Sequence, residues 1–293
     1  MDPAALKPLP TLNPSALLHA AGLSPRQGLG QNFLADDAAL RRIVSAADVT
    51  PDDTVLEVGP GLGHLTRYLA ACAGSVAAVE LDASLLPILK QTLAGFSNVN
   101  IIQGDILKLD LASLGLQSGY LVVANIPYYI TGELIPLLVQ ASVKPARLVL
   151  TLQEEVAEAI CAAPGDLSIR ALSVQVFGKA TIAARIPAGA FYPPPEVNSA
   201  VLRIDVYPQP LIASERLPAF FTLVKAGFSQ KRKTLRNALA GGLGWKPERA
   251  AELLKEAGID PQRRAETLSI PEWEKLLIKY DLENILKLVP HQI

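Results

Sequence analysis

Cysteine is nearly absent from this chain: Cys72 and Cys161 are the only two in 293 residues, and no short spacing pairs them. Histidine is as scarce, with His19, His64 and His291 scattered along the sequence. Those shortages exclude a disulfide framework and a thiolate or imidazole zinc site, so no metal is expected and a reducing cytoplasmic location is. An excess of charge of one sign is missing too. With 27 Lys and Arg against 28 Asp and Glu the formal net charge is -1, and nothing global announces a polyanionic partner. Long apolar runs are also wanting. The longest uncharged stretch, 111–132, could span a bilayer by length, but it contains Gln117, Ser118, Asn125 and Pro127. It reads as a loop, a buried strand and a site, and no membrane association is expected. The N-terminus carries Asp2 and several prolines where a secretory signal would need a basic and then an apolar segment. There is no internal repeat and no low-complexity tract.

What is present is core-forming material. Half of the residues are hydrophobic, and the length suits a catalytic domain of about 200 residues with a smaller appendage. From residue 50 to about 207, short β-branched or Leu-rich runs alternate with stretches of helical period, the pattern of an α/β fold whose mainly parallel sheet is covered by helices. Strands are expected at 54–58, 76–81, 100–103, 120–124, 147–152, 172–177 and 200–206, the last two pairing antiparallel at the sheet edge. Helices are expected at 64–71, 84–93, 132–140 and 154–162. Pro208 and Pro210 then punctuate the chain. The helical patterns 213–229, 231–240, 247–257 and 271–288 make a small all-α domain. The expected division is therefore 1–207, with 1–50 as a helical cap, and 208–293. Charge divides likewise: residues 206–293 hold 14 Lys and Arg against 10 Asp and Glu, whereas 1–205 hold 13 against 18. The C-terminal part is the better suited to grip a polyanion.

The first strand runs into Glu57-Val58-Gly59-Pro60-Gly61-Leu62-Gly63, and helical periodicity begins at once. Glycines in such a turn let the backbone approach a ligand and expose amides at a helix N-terminus. Where the dinucleotide fingerprint wants a further Gly or Ala stands His64, which disfavours a pyrophosphate-bearing cofactor. Glu80, 21 residues after Gly59, closes the second strand, where a carboxylate can accept hydrogen bonds from ribose hydroxyls. Asp105, in Gly104-Asp105-Ile106, is placed to accept an adenine amine. An adenosyl cofactor without phosphates fits this set best.

The fourth strand delivers Asn125-Ile126-Pro127-Tyr128 to the carboxyl edge of the sheet, where ligands of open α/β sheets bind. Adenine's exocyclic amine is a poor nucleophile, its lone pair being delocalised into the ring. The Asn125 side-chain carbonyl and the Ile126 backbone carbonyl could accept its two hydrogens and favour a pyramidal nitrogen. Pro127 stiffens the backbone and donates no N–H. Tyr128 could stack on a base turned out of its helix. Methyl transfer by in-line displacement from a sulfonium would then rest on positioning, with no strong base required.

These residues resemble the ribosomal RNA adenine dimethylases over roughly residues 12 to 240. Gly30-Gln31-Asn32-Phe33-Leu34 is similar to the family's N-terminal motif, and the resemblance implies cofactor contacts from Gln31, Asn32 and Leu34. It also implies contacts from Gly59, Gly61, Glu80, Leu81, Asp105, Ile106 and Asn125, with S-adenosylmethionine as cofactor and S-adenosylhomocysteine as product. Asn125, Ile126, Pro127 and Tyr128 match the catalytic loop. Phe191-Tyr192-Pro193-Pro194-Pro195-Glu196-Val197-Asn198-Ser199 resembles the loop whose aromatic residue, here Phe191, sandwiches the target adenine. The chain departs from the family at Glu196 and Asn198, where Lys and Asp are frequent, and Arg170 is offset from an expected basic position. Those departures bear on RNA contacts around the pocket and not on the chemistry. Lys225, Lys231, Arg232, Lys233 and Arg236, with Phe228 among them and no acid between, look like the family's rRNA-binding segment. As a helix, 231–240 would put Arg232 and Arg236 on one face.

The resemblance implies a Rossmann-like, seven-stranded class I methyltransferase sheet. It also implies dimethylation of two adjacent adenines near the 3′ end of 16S rRNA in the small ribosomal subunit, as a pre-30S particle. Two readings stay open beside it: a 23S rRNA adenine methyltransferase of the antibiotic-resistance type, which the neutral charge disfavours, and a non-catalytic ribosome-assembly factor. No interaction helix stands out, so a monomer is expected.

Overall fold

The structure, a computed structural model, describes residues 8–288, with side chains as far as residue 282. The chain divides into two compact units, one of residues up to 158 with 178–208, the other of 159–177 with 209 onward.

The first unit is built on a seven-stranded sheet. Its strands are β2 (Thr54–Val58), β3 (Ser75–Glu80), β4 (Val99–Gln103), β5 (Leu121–Asn125), β6 (Arg147–Gln153), β7 (Gly178–Ile186) and β9 (Ser199–Val206), in the spatial order β4-β3-β2-β5-β6-β9-β7. The pairs from β4 across to β6 are parallel, and β9 runs antiparallel to both β6 and β7. Central strands such as Thr54–Val58 and Leu121–Asn125 are near-continuous apolar runs because helices cover both faces of a parallel sheet. The helices are α2 (Asp37–Ala47), α3 (His64–Cys72), α4 (Leu86–Thr92), α5 (Thr131–Val139) and α6 (Glu154–Ile160). Ile43, Val55, Leu69, Val123 and Val149 share one buried cluster, and each such side chain contributes roughly 1.5–3 kcal/mol on leaving water. The order of strands reverses between β2 and β5, so a crevice opens at their carboxyl ends.

The N-terminal cap is helical in α1 (Pro14–Ala20) and α2, capped by the side chains of Asn13 and Asp36, which accept from the amides of Ala16 and Ala39. Between them lies something that periodicity does not show. Phe33–Leu34 forms a short strand β1 that pairs antiparallel with β8 (Phe191–Tyr192), placing Phe33 opposite Tyr192 and Leu34 opposite Phe191.

The seventh strand sits later than expected. Residues 172–175 belong to a helix, α7 (Ile169–Gln175), and 176–177 to the turn after it; the helix is started by Ser168, whose hydroxyl accepts from the amide of Ala171 at 3.1 Å. Strand β7 begins only at Gly178, where a Cβ would lie 2.8 Å from the carbonyl oxygen of Asp205 on β9. The β-branched content of 172–177 outweighed the cap signal in the sequence. The edge pairing itself is as expected, antiparallel between β7 and β9.

The second unit is helical, with α7 joined by α8 (Leu217–Gly227), α9 (Leu235–Leu243), α10 (Pro247–Glu256) and α11 (Ile270–Leu288). Its core holds Phe220, Leu235, Leu239, Leu253 and Trp273, all fully buried. Helix α9 starts at Leu235, not at Lys231, so Lys231, Arg232 and Lys233 lie in the preceding turn. The expected helical face shared by Arg232 and Arg236 therefore does not exist. Among the described residues no helix is long and apolar enough to cross a membrane.

Candidate active site

Every residue expected to touch a cofactor or a base lines a single cleft at the carboxyl ends of β2, β3 and β5. The strands β2 and β3 are in register, with Val58 beside Val79, so the turn after β2 and the acid closing β3 end side by side.

Gly59, Gly61 and Gly63 all have positive φ, between 57° and 88°, a region that a side chain rarely enters. The turn does not expose their amides, however. The Gly59 amide donates to the Val79 carbonyl at 2.9 Å, that of Gly61 to the Glu80 carboxylate at 2.9 Å, and that of Gly63 to the Pro60 carbonyl at 2.9 Å. The glycines serve close approach, and donation to a ligand is not theirs.

Glu80 is buried, and its second carboxylate oxygen accepts the amide of Asp82 at 2.8 Å. Burial pushes its pKa up while the amides of Asp82 and Gly61 pull it down, leaving it above the ordinary carboxylate value. Glu80 lines the cleft, and a carboxylate, which can accept about four hydrogen bonds, has capacity left beyond those amides. Asp105, at the end of β4, accepts the Leu107 amide at 3.1 Å and pairs with Lys108 at 3.2 Å. Leu81 is exposed and Ile106 buried, and both line the cleft together with that acid.

Asp82 ties the N-terminal loop down. It accepts from Arg26 Nη1 at 3.0 Å, Gln31 Nε2 at 2.8 Å, and both the amide and the hydroxyl of Ser84. Burial alone would raise its pKa, but those donors hold it below the usual range. Gln31 is thus engaged at both ends, its carbonyl oxygen accepting the Arg26 amide at 2.8 Å. It lines the cleft with its polar atoms already committed to protein.

At the end of β5 the Asn125 side-chain amide donates through Nδ2 to the backbone carbonyl of Asn32 at 3.0 Å. The Ile126 amide donates to Thr151 on β6 at 3.3 Å. No donor among the described residues reaches Asn125 Oδ1 or the Ile126 carbonyl. Tyr128 is half-buried, and its hydroxyl lies 2.8 Å from Ser199 Oγ. Phe191 is buried in the wall of the same cleft.

Three lining residues with titratable side chains were not picked out as site residues. Glu57 is 1 % exposed, one of its carboxylate oxygens has no partner, and burial, reinforced by Glu80, raises its pKa to about 8. A carboxylate inside the apolar run Thr54-Val55-Leu56-Glu57-Val58 was the signal available. His64 is buried and held neutral, its pKa pushed down to about 4 by desolvation, with Nε2 donating to the Leu12 carbonyl at 3.3 Å. Tyr129 stands exposed at the rim. No group of His, Cys, Asp and Glu suited to a metal ion occurs among the described residues.

In the helical unit, Lys225, Lys231, Arg232 and Lys233 are exposed and Arg236 half-buried, and none has a carboxylate partner among the described residues. Phe228 is not free for a base, since it stacks on Trp273 with ring centroids 6.1 Å apart.

Against known proteins, the model of the ribosomal RNA adenine dimethylases matches residues 22–281. A ribosomal RNA small subunit methyltransferase A from Dehalococcoides mccartyi is 46% identical over 259 residues, which is 88% of this chain and 89% of that one. Among solved structures, a dimethyladenosine transferase from Plasmodium falciparum superposes with a TM-score of 0.74 at 24% identity, covering 86% of this chain and 98% of that one. The 23S rRNA methyltransferase ErmE superposes with a TM-score of 0.69 at 26% identity, covering 85% and 100%. The family model spans most of the chain, a curated relative is 46% identical over 88% of it, and the chain belongs to the ribosomal RNA adenine dimethylase family.

Proposed function

We propose that this chain transfers methyl groups from S-adenosylmethionine to the exocyclic amines of two adjacent adenines near the 3′ end of 16S rRNA. One observation carries the reading: two neighbouring acceptors, Asn125 Oδ1 and the Ile126 carbonyl, meet no donor among the described residues and belong to residues lining a cleft with Glu57, Glu80 and Asp105. An amine with two hydrogens is what such a pair can take.

The cleft fits the cofactor. Glu80 suits ribose hydroxyls, Asp105 with Leu81 and Ile106 suits an adenine, and the orphaned oxygen of Glu57 suits a cationic group. When bound, S-adenosylmethionine supplies an electrophilic methyl on a sulfonium. Asn125 and Ile126 would hold the amine hydrogens so that its lone pair is presented to that methyl; a C–N bond would form as the methyl–sulfur bond breaks, its electron pair going to sulfur to leave S-adenosylhomocysteine, and one amine hydrogen would leave as a proton to water. Pro127 fixes the spacing of the two carbonyls, and Tyr128 and Phe191 flank the base. Lys225, Lys231, Arg232, Lys233 and Arg236 serve the rRNA backbone. The same reading has the enzyme working in the cytoplasm as a monomer on a pre-30S particle and using no metal.

Labelled S-adenosylmethionine offered in parallel with unmethylated small subunits, naked 16S rRNA, 23S rRNA and DNA tests this. Label in 16S adenines of the small subunit is the expected result. Label confined to 23S rRNA, or none in any substrate, would overturn it.

A further inference from the structure

We propose that Ser199 is a positioning residue for methyl transfer, setting the plane of the Tyr128 ring through the hydrogen bond between their hydroxyls. The inference rests on the adenine-methylating reading above and concerns how that site is held.

Tyr128 follows Pro127 at the start of a 3-10 turn, Tyr128–Ile130, and its ring is half-buried in the cleft wall. A stacking ring flanked by solvent on one side can swing about its side-chain torsions, and a tilt of the ring displaces the base it supports. The Tyr128 hydroxyl has one protein partner among the described residues, Ser199 Oγ at 2.8 Å. Ser199 is a rigid anchor. It is fully buried and opens β9, where it is registered against Gln153 of β6 on one side and Ile186 of β7 on the other.

The chain leading to Ser199 matters as much. Phe191, eight residues earlier, is fixed by β8 pairing with β1, and the Asn198 side chain accepts the Ala188 amide at 3.2 Å, closing the loop on itself. A single loop with a strand at each end thus supplies Phe191 to the cleft and, at its far end, the group that orients Tyr128. The spacing of the two aromatic walls is set by one piece of backbone. The triproline segment Pro193-Pro194-Pro195 stiffens it. The Tyr128 phenol stays neutral, since burial raises its pKa, so the contact is an ordinary hydroxyl pair and persists across the working pH range.

The test is a double-variant cycle of Ser199→Ala and Tyr128→Phe, read as kcat and KM for small-subunit methylation, with thermal melts as a folding control. Tyr128→Phe keeps the stacking surface and removes the same hydrogen bond from the other side. Each single variant is expected to lower kcat by about tenfold, with KM for S-adenosylmethionine changed less than about twofold. The double variant should be no worse than the poorer single one, and Ser199→Thr should restore most of the rate. Wild-type kcat in Ser199→Ala, or losses that multiply in the double variant, would overturn the proposal. Should Ser199→Ala fail to fold, Tyr128→Phe alone decides: an undiminished kcat refutes the role. Failure of the wild type to methylate small subunits would refute the underlying reading and not this contact.

Discussion

Asn125 donates its side-chain amide to the backbone carbonyl of Asn32, 93 positions away in sequence, at 3.0 Å. Because a carbonyl can only accept, this bond decides which end of the Asn125 amide is which. Nδ2 faces the N-terminal loop, and Oδ1 has no donor among the described residues. Asn125→Ala should abolish methyl transfer, by at least about 10²-fold, while melting temperature and RNA retention stay nearly unchanged. Asn125→Asp should do no better, because it sets a carboxylate oxygen against the Asn32 carbonyl. Full activity in either variant would sink the acceptor argument.

Gly30 leans on the loop that follows β5. Its φ is 61°, and a Cβ there would come within 3.2 Å of the Pro127 Cβ. Gly30→Ala is expected to cost about 1 kcal/mol in stability for the left-handed backbone. It should also displace Pro127 enough to lower kcat by about tenfold. Denaturant unfolding and steady-state methylation check the two effects separately.

Glu57 makes the stability of the cofactor-free protein fall with rising pH. Its pKa of about 8 in the folded chain lies above the ordinary value of 4.5, so its full contribution is present below about pH 4.5 and is lost as the pH climbs through 8. Each unit of such a shift corresponds to about 1.4 kcal/mol. Glu57→Gln should therefore melt close to wild type at pH 5 and clearly above it at pH 9, with weakened S-adenosylmethionine binding. Equal melting of the two proteins at pH 9 would count against the buried charge.

The turn before α9 carries Lys231, Arg232 and Lys233 into solvent, without carboxylate partners among the described residues. Replacing all three with Glu should leave the fold and S-adenosylmethionine binding intact and weaken rRNA binding. It should also flatten the slope of log affinity against log salt by about 2, since each phosphate that is no longer neutralised takes roughly 0.7–0.9 off the slope. An unchanged salt slope would remove this turn from the RNA interface.

Much of the molecule was legible before any fold was known, wherever the signal is local. The glycine turn after a buried strand, Glu80 at the end of the next, and Asn-Ile-Pro-Tyr at a strand end each need only a few adjacent residues, so type and spacing pick out groups that the fold gathers in one cleft. The parallel sheet followed from apolar runs alternating with helical periods. Misplaced boundaries arose where two local signals competed. Residues 172–177 carried β-branched content against the cap at Ser168, and Lys231–Thr234 carried helix-forming residues into a turn.

What the sequence determined by itself, then, is which residues would come together to line the cleft. What the tertiary structure decided is how those groups are aimed, because aiming is done by partners distant in the chain. Asn32 turns Asn125, Ser199 holds Tyr128, Asp82 engages both Arg26 and Gln31, and two-residue strands join Phe33–Leu34 to Phe191–Tyr192. No periodicity marks such pairs. Each forms because a polar group carried into the interior must find a partner there, and which partner is within reach is known only once the sheet has packed.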